Sequence, residues 1–535
     1  MVLLLTFVIA MLITMALIPP LMRGAARFQF VDIPDARKVH VGAIPRIGGI
    51  AMAIGAVVPV VIWLPLNSEV VGVLMGLGII LVFGVWDDRV DLDYRLKFLG
   101  QGVAIASIVF YGDVHITSIP FFEMDELPYW LSVSLTMFVL LGVTNAINLS
   151  DGLDGLAAGT TLLSLGLIVF LAYGVELNAV SLIGLAVMGS ILGFLRFNTH
   201  PARIFMGDGG SQLLGLTVGV LALMLTQGRR ADFSPMLPFL LLGLPLLDTA
   251  LVMVKRISEG RSPFSPDRNH IHHRLLALGL NHYEVVFVIY LLQACLAVAA
   301  YLLRYAHDLS VLMGFSLFCG AVITLLSLAQ QGDWQMPRIP PQRLDQIRRV
   351  GRDGLLARVA LVYVILILPI FMVSTAFMAS YVSADIALLS LALLLLLLLE
   401  YWRNRESQIS WIERGVVYIV VAVLLYLVGF AHEKFPLSQF FFAALVVAVV
   451  IGFRYSKDNG FSANPSDFLI VFLAIALPTL PQAQQIAPFW TDYIPKLVVL
   501  YYAIEMVLPR VVKRTGMVRL LTSSILVIIL IRGVL

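Results

Sequence analysis

Long apolar runs recur along the whole chain, each close to the length that crosses a lipid bilayer. They lie near 1–22, 47–66, 70–86, 98–112, 129–148, 155–174, 178–197, 211–226, 236–254, 283–304 and 309–329. They continue near 357–378, 384–401, 415–431, 437–453, 466–482, 493–509 and 518–533. A spanning helix needs about 20 predominantly apolar residues. In lipid every backbone N–H and C=O must be paired within the protein, so runs of this kind read as helices. The expected fold is an all-α polytopic integral membrane protein, with about eleven helices in a first region and about seven further transmembrane helices after it. Composition closes off a soluble alternative: the chain is 60% hydrophobic and only 13% charged, against roughly 45–50% and about 25% for soluble domains. The first run reads as a retained transmembrane helix and not a cleavable signal, because Arg23 and Arg27 follow it instead of preceding it. A net charge of +3 gives no case for nucleic-acid binding, and Cys295 and Cys319 form no readable disulfide or metal pattern.

Orientation follows from the placement of Lys and Arg. Arg23, Arg27, Arg37, Lys38 and Arg46 precede the second run; Arg89, Arg95 and Lys97 precede the fourth; Lys255, Arg256, Arg261, Arg268 and Arg274 follow the ninth. The loop 112–128 on the other side has no Lys or Arg and holds Asp113, Glu123, Asp125 and Glu126. The basic loops are expected on the cytoplasmic side, despite Arg229, Arg230 and Arg304 opposite. Three regions are expected: a first membrane domain over 1–330, a basic cytoplasmic linker over 331–356, and a second membrane region over 357–535. The linker reading rests on Pro337, Pro340 and Pro341 followed by Arg343, Arg348, Arg349 and Arg352. In the second region Glu400, Glu413, Glu433, Asp467 and Glu505 read as scattered singly, and the region as an accessory for packing or docking.

Ionisable groups near a membrane are costly, so a cluster of them is a functional hypothesis. Asp87-Asp88 ends the third run, where two carboxylates at a helix C-terminus oppose its dipole and call for a cation or a proton. Asn145 to Gly155 contains Asn148, Asp151 and Asp154 in a glycine-broken turn that offers oxygen ligands; its spacing is not that of an EF-hand loop. It reads equally as a capped turn, with Asp154 an N-cap. Asn198 to Ser211 places Asp208 among Gly207, Gly209 and Gly210, glycines that would let a ligand approach the backbone, and Asp208 suits magnesium. A simple turn with an Asp cap is the competing reading. Gly260 to Arg274 holds His270, His272 and His273 between arginines. Zinc lacks its HExxH pattern and cysteine partners here, and a basic His/Arg loop suits anionic phosphate. Arg46 beside Gly48-Gly49 can hold phosphate through its guanidinium fork and the backbone N–H groups. Carboxylates for a hard cation and cations for phosphate, at a membrane surface, fit phosphoryl transfer between a soluble donor and a lipid acceptor.

These motifs resemble those of the polyprenyl-phosphate N-acetylhexosamine-1-phosphate transferase superfamily, in its order and over roughly residues 1–330. They are Arg37-Lys38-Val39-His40 with Pro45-Arg46-Ile47-Gly48-Gly49, then Asp87-Asp88, Asn145–Gly155, Asn198–Ser211 and His270-Ile271-His272-His273. The last is similar to the WecA-like form. The resemblance implies transfer of a sugar 1-phosphate from a UDP-N-acetylhexosamine to undecaprenyl phosphate, releasing UMP. It implies a Mg2+ cofactor, with Mn2+ as the alternative ion, and a multi-pass protein of the bacterial inner membrane with its active site facing the cytoplasm. It assigns Asp208 to the metal, Asp87 to the lipid phosphate and Asp88 to metal and substrate. It places Asn198 beside the catalytic centre, Asn148, Asp151 and Asp154 in the nucleotide and metal region, and His270, His272 and His273 on the donor phosphates. Lys97 and Arg46 are weaker matches for phosphate contacts. Family members are often dimers, so a homodimer is one expected assembly. The spans after residue 330 have no counterpart in the motif set. A lipid-linked sugar flippase and a non-catalytic membrane scaffold are the rival readings, and the sugar itself (N-acetylglucosamine or a 6-deoxy amino sugar) is left open.

Overall fold

A computed structural model of the chain describes residues 2–32, 43–120, 126–228, 233–262, 269–332, 334–336, 355–379, 382–403, 411–429, 438–454, 465–479, 483–508 and 515–534. Arg37, Lys38, His40, Glu123, Asp125, Arg229, Arg230, Arg268, Glu433 and most of the expected linker lie outside them. The chain divides into two compact units: Met1–Met336 with Asn464–Leu469, and Pro337–Ala463 with Ile470–Leu535.

The fold is all-α and polytopic, as the apolar runs require. The first unit runs α1 (Val2–Ala25), α2 (Gly48–Trp63), α3 (Ser68–Val90), α4 (Tyr94–Ala106, continued as a π-helical turn over Ser107–Tyr111), α5 (Tyr129–Leu149), α6 (Leu156–Gly174), α7 (Asn178–Asn198) and α8 (Gly207–Thr226). It continues with α9 (Pro238–Leu241), α10 (Gly243–Ser258), α11 (Ile271–Ala277), α12 (His282–Leu303) and α13 (Asp308–Gln331). Two-residue strands, Val31–Asp32 and Ile44–Pro45, pair antiparallel.

Among the described residues twelve helices are long and apolar enough to cross a membrane, fewer than the eighteen or so runs suggested. Several of the remaining runs are short or broken. α2 has 16 residues, about 24 Å at 1.5 Å per residue, short of a hydrocarbon core of about 30 Å. The ninth run splits at Leu242 into α9 and α10.

α8 is the core of the first unit. Every residue from Gly209 to Thr226 is buried, as expected of a helix apolar on all sides. It packs against α3 and α5, and α1 lies along α7. Small residues set the spacing: a Cβ on Gly215 would come within 2.8 Å of Thr144 Cα on α5, so glycine there admits close helix contact. Gln101, Asn145 and Gln212 tie α4, α5 and α8 through side-chain amides, with Asn145 Nδ2 donating to Gln101 Oε1 at 2.8 Å and Gln101 Nε2 to Gln212 Oε1 at 3.2 Å.

The second unit holds α14 (Leu355–Met378), α15 (Ala384–Arg403), α16 (Trp411–Gly429), α17 (Ser438–Arg454), most of α18 (Pro465–Thr479), α19 (Ala483–Ile486), α20 (Pro488–Val507) and α21 (Thr515–Val534). Its acidic residues are not all isolated. Glu413 Oε1 accepts from Arg519 Nε at 2.6 Å, and the Tyr418 hydroxyl donates to Glu505. Low polarity around the helices favours such pairing, which sequence spacing alone does not reveal.

Candidate functional site

The N-terminus of α8 gathers the carboxylates. Asp88, in the last turn of α3, accepts the backbone N–H of Asp208 through Oδ1 at 2.8 Å and that of Gly209 through Oδ2 at 3.1 Å. It is thus a cap supplied by another helix, satisfying donors that the first turn of α8 would otherwise leave open. Gly207 stands at φ 71° and a Cβ there would run into the Asp88 carboxylate, so both the backbone angle and the space require glycine.

Lys97, at the start of α4, lies between two carboxylates: its Nζ is 2.6 Å from Asp87 Oδ2 and 3.2 Å from Asp208 Oδ2. Asp87 Oδ1 also accepts the Leu92 N–H at 2.8 Å, which holds the turn leaving α3. Asn148 Nδ2 donates to Asp208 Oδ1 at 3.0 Å and to Ser211 Oγ at 2.8 Å. Asp208 is thus reached by α4 and α5 while its side chain stays 36% exposed. Lys97, a weak expectation, is central here.

The glycines have another use than expected. Gly48 N–H donates to Phe205 O and Gly49 N–H to Met206 O, each at 2.9 Å. Those donors are engaged in joining α2 to the segment before α8, so they do not form a phosphate cradle. A Cβ on Gly49 would strike Gly210, and one on Gly84 would strike Gly209. These glycines let α2 and α3 touch the start of α8. Arg46 pairs with Asp32 and remains about one-third exposed at the edge of the cluster.

Asn198 is buried, and both ends of its amide bond backbone: Oδ1 accepts Gly155 N–H and Nδ2 donates to Ile204 O, both at 2.8 Å. It clamps the loop after α5 to the segment before α8. Asp154 accepts from His200 Nδ1 at 2.6 Å and from Ala202 N–H at 3.0 Å, and the His200 and His282 rings stack at 4.0 Å. These three residues bring donor atoms within 4.8 Å of one another. The His200–Asp154 distance is nevertheless a hydrogen bond, shorter than the roughly 3.3 Å between two ligands on one tetrahedral zinc.

Asp151 opens to solvent on one side, but protein packs around the rest of its carboxyl. That desolvation, then the negative charges of Asp208 and Asp154, push it up to about 7, opposed by Arg46. The site as a whole is short of positive charge. The donor set therefore fits a hard cation: Asp208 is partly exposed and already approached by an ammonium group, and Asp151 faces the same field.

The histidines form a second group. His270 and His272 are buried and their rings stack at 5.6 Å; His272 and His273 lie 4.2 Å apart. His272 packs so closely on Gly152 that a Cβ there would meet its Nε2, which joins the histidines to the Asn148–Gly155 loop. Burial, then the charge of His273, lowers His272 to about 4, so it works near pH 7 as a neutral hydrogen-bonding ring and not as a cation. His270 Nδ1 meets Asp248 Oδ2 at 2.8 Å. Sequence reasoning passed over Asp248, Gln101 and Gln212, each the single carboxyl or amide side chain of its apolar run.

A family model described as glycosyl transferase family 4 matches residues 70–226, which include Asp87, Asp88, Lys97, Asn148, Asp151, Asp154, Asn198 and Asp208. The chain is 39% identical over 303 residues to a probable undecaprenyl-phosphate N-acetylglucosaminyl 1-phosphate transferase of Bacillus subtilis, covering 56% of this chain and 84% of that protein. It is 35% identical over 344 residues to the decaprenyl-phosphate N-acetylglucosaminephosphotransferase of Mycolicibacterium smegmatis, covering 58% and 84%. It is 31% identical over 294 residues to the undecaprenyl-phosphate alpha-N-acetylglucosaminyl 1-phosphate transferase of Escherichia coli K12, covering 53% and 79%.

Proposed function

We propose a reaction from this premise: the chain belongs to the polyprenyl-phosphate sugar-1-phosphate transferases of glycosyl transferase family 4. It is a multi-pass membrane enzyme that transfers a glycosyl 1-phosphate group. In our reading the donor is a UDP-N-acetylhexosamine and the acceptor undecaprenyl phosphate. An acceptor phosphate oxygen attacks the β-phosphorus of the donor, the bond from that phosphorus to the bridging oxygen breaks, and UMP leaves with that oxygen. The lipid-linked sugar diphosphate formed begins a cell-envelope polysaccharide. N-acetylglucosamine is the expected sugar, supported by the names of the relatives.

The observation that carries this reading is the convergence of Asp87 and Asp208 on Lys97, bridged by the Asn148–Gly155 loop to the histidines. Two anions must meet for this chemistry, so charge neutralisation and positioning dominate it. Asp208, with Asp151, would hold Mg2+ or Mn2+; when bound, the ion neutralises the donor diphosphate. Asp88 keeps the first turn of α8 in place. Lys97 meets phosphate while balancing Asp87 and Asp208, and Asp87 sets the position of that ammonium. His272 and His273 offer ring N–H groups to the donor phosphates, and His270 stacks on His272. Since UDP-sugars are cytoplasmic, the site faces the cytoplasm across the bacterial inner membrane. The chemistry-bearing side chains gather at helix ends, unlike the midplane site of a flippase.

The test is UMP release by the purified protein, with and without polyprenyl phosphate, over a panel of UDP-N-acetylhexosamines. We expect release that requires both the lipid and Mg2+ and is fastest with one donor. Silence across the panel would rule the reading out.

A further inference from the structure

A buried acidic residue of the first unit, Asp248, belongs to none of the motifs above. Asp248 lies inside α10, in a stretch from Phe233 to Val254 that has no other ionisable side chain. It is 6% exposed, among the buried Leu244, Pro245, Leu247 and Val252 of its own helix. An unpaired carboxylate there would be very unfavourable, and both its oxygens are taken. Oδ1 accepts the Ile271 N–H at 2.6 Å and Oδ2 faces His270 Nδ1 at 2.8 Å. One side chain therefore fixes both the backbone entering α11 and the first ring of the histidine motif.

We propose that Asp248 is a positioning residue for the donor-side histidine motif: it holds His270 with its proton on Nδ1 and leaves Nε2 as a hydrogen-bond acceptor for a hydroxyl or N–H of the UDP-sugar. This rests on the reaction proposed above. A carboxylate acts only as an acceptor, so it selects the Nδ1–H form, as carboxylates behind metal-binding and catalytic histidines do. The effect spreads along the motif, because His270 stacks on His272 and His272 rests on Gly152 beside Asp151. α10, far along the chain from the carboxylate motifs, thus sets the geometry of the histidine side.

Asp248→Asn is the discriminating variant. It keeps shape and an oxygen for the Ile271 N–H, but presents an NH2 group to His270 Nδ1. The ring must then move its proton to Nε2 or turn away. In the full-length protein we expect KM for the UDP-sugar to rise about 10- to 100-fold, with KM for polyprenyl phosphate unchanged. A merely structural role would instead shift both constants together and lower the melting temperature. The second measurement needs no turnover: 15N-histidine NMR, with His270 identified by the signal lost in His270→Gln. Wild type should show Nδ1 protonated, and Asp248→Asn should show Nε2 protonated or a displaced ring. An unchanged His270 signal, or equal changes in the two KM values, overturns the proposal. An enzyme silent with every donor while the signal moves as expected would sink the reaction and leave the tautomer assignment standing.

Discussion

The two units handle charge differently. In the first, Asp87, Asp88, Asp151 and Asp208 come together from α3, α8 and the loop after α5, with Lys97 and Arg46 as the nearby cations. Carboxylates are in excess. In the second, Glu413 meets Arg519, Asp492 meets Lys496 at 2.5 Å and Glu505 meets Tyr418. Each of these three acidic groups has its own partner. An unbalanced cluster is costly for a fold and is kept where it binds something; balanced pairs are a normal way to place polar groups among apolar helices.

The sharpest way to break this contrast is Asp208→Asn. It removes one carboxylate but keeps a side chain that Asn148 can reach, so the protein should stay folded while UMP release falls on the order of a thousandfold or more. Activity near wild type would remove Asp208 from the site. Gly207→Ala comes next. The new Cβ meets the Asp88 carboxylate and the residue must hold φ 71°, so we expect roughly 1–3 kcal/mol of lost stability and a turnover loss smaller than that of Asp208→Asn. A melting temperature equal to wild type would show that the α3–α8 junction has slack.

Acidification probes the histidine side. His272 titrates at about 4 when folded and near 6.5 when unfolded. Between those values the unfolded chain binds more protons, so stability is full above pH 6.5 and is lost as pH falls toward 4. The gap between those values sets a ceiling of about 3 kcal/mol. Melting curves at pH 5 and 7.5 should differ more for wild type than for His272→Gln; equal shifts would mean that another group causes them. The smallest effect on catalysis is expected from the second unit. Glu413→Gln should lower thermal stability by roughly 1–3 kcal/mol by leaving Arg519 poorly matched, with UMP release within about twofold of wild type. A large fall in turnover would show that the balanced unit takes part in the chemistry.

Much of the site was legible because its chemistry needs residue types that an apolar chain otherwise avoids. Asp87, Asp208 and the three histidines stand out against their runs, and the structure assembles the carboxylates around Lys97. What could not be read was who holds whom. Gly48 and Gly49 suggested an anion cradle from composition, but their N–H groups face Phe205 and Met206, and only the packing of α2 on α8 shows it. Asn198 was expected beside the catalytic centre, but its motif alone does not reveal that it clamps two loops together. Asp248 lay unmarked because a lone carboxylate in an apolar helix has no local pattern; its partners lie more than twenty residues away.

By itself the sequence determined that the chain is an all-helical membrane protein, since lipid leaves backbone polar groups no other partner and apolar length counts the crossings approximately. It also determined which side chains were available for chemistry. Only the tertiary structure decided which carboxylates are left short of positive charge and which are spent on caps and pairs. That depends on contacts between residues far apart in the chain, such as Asp88 with Gly209 and Asn148 with Asp208, and no local spacing specifies them.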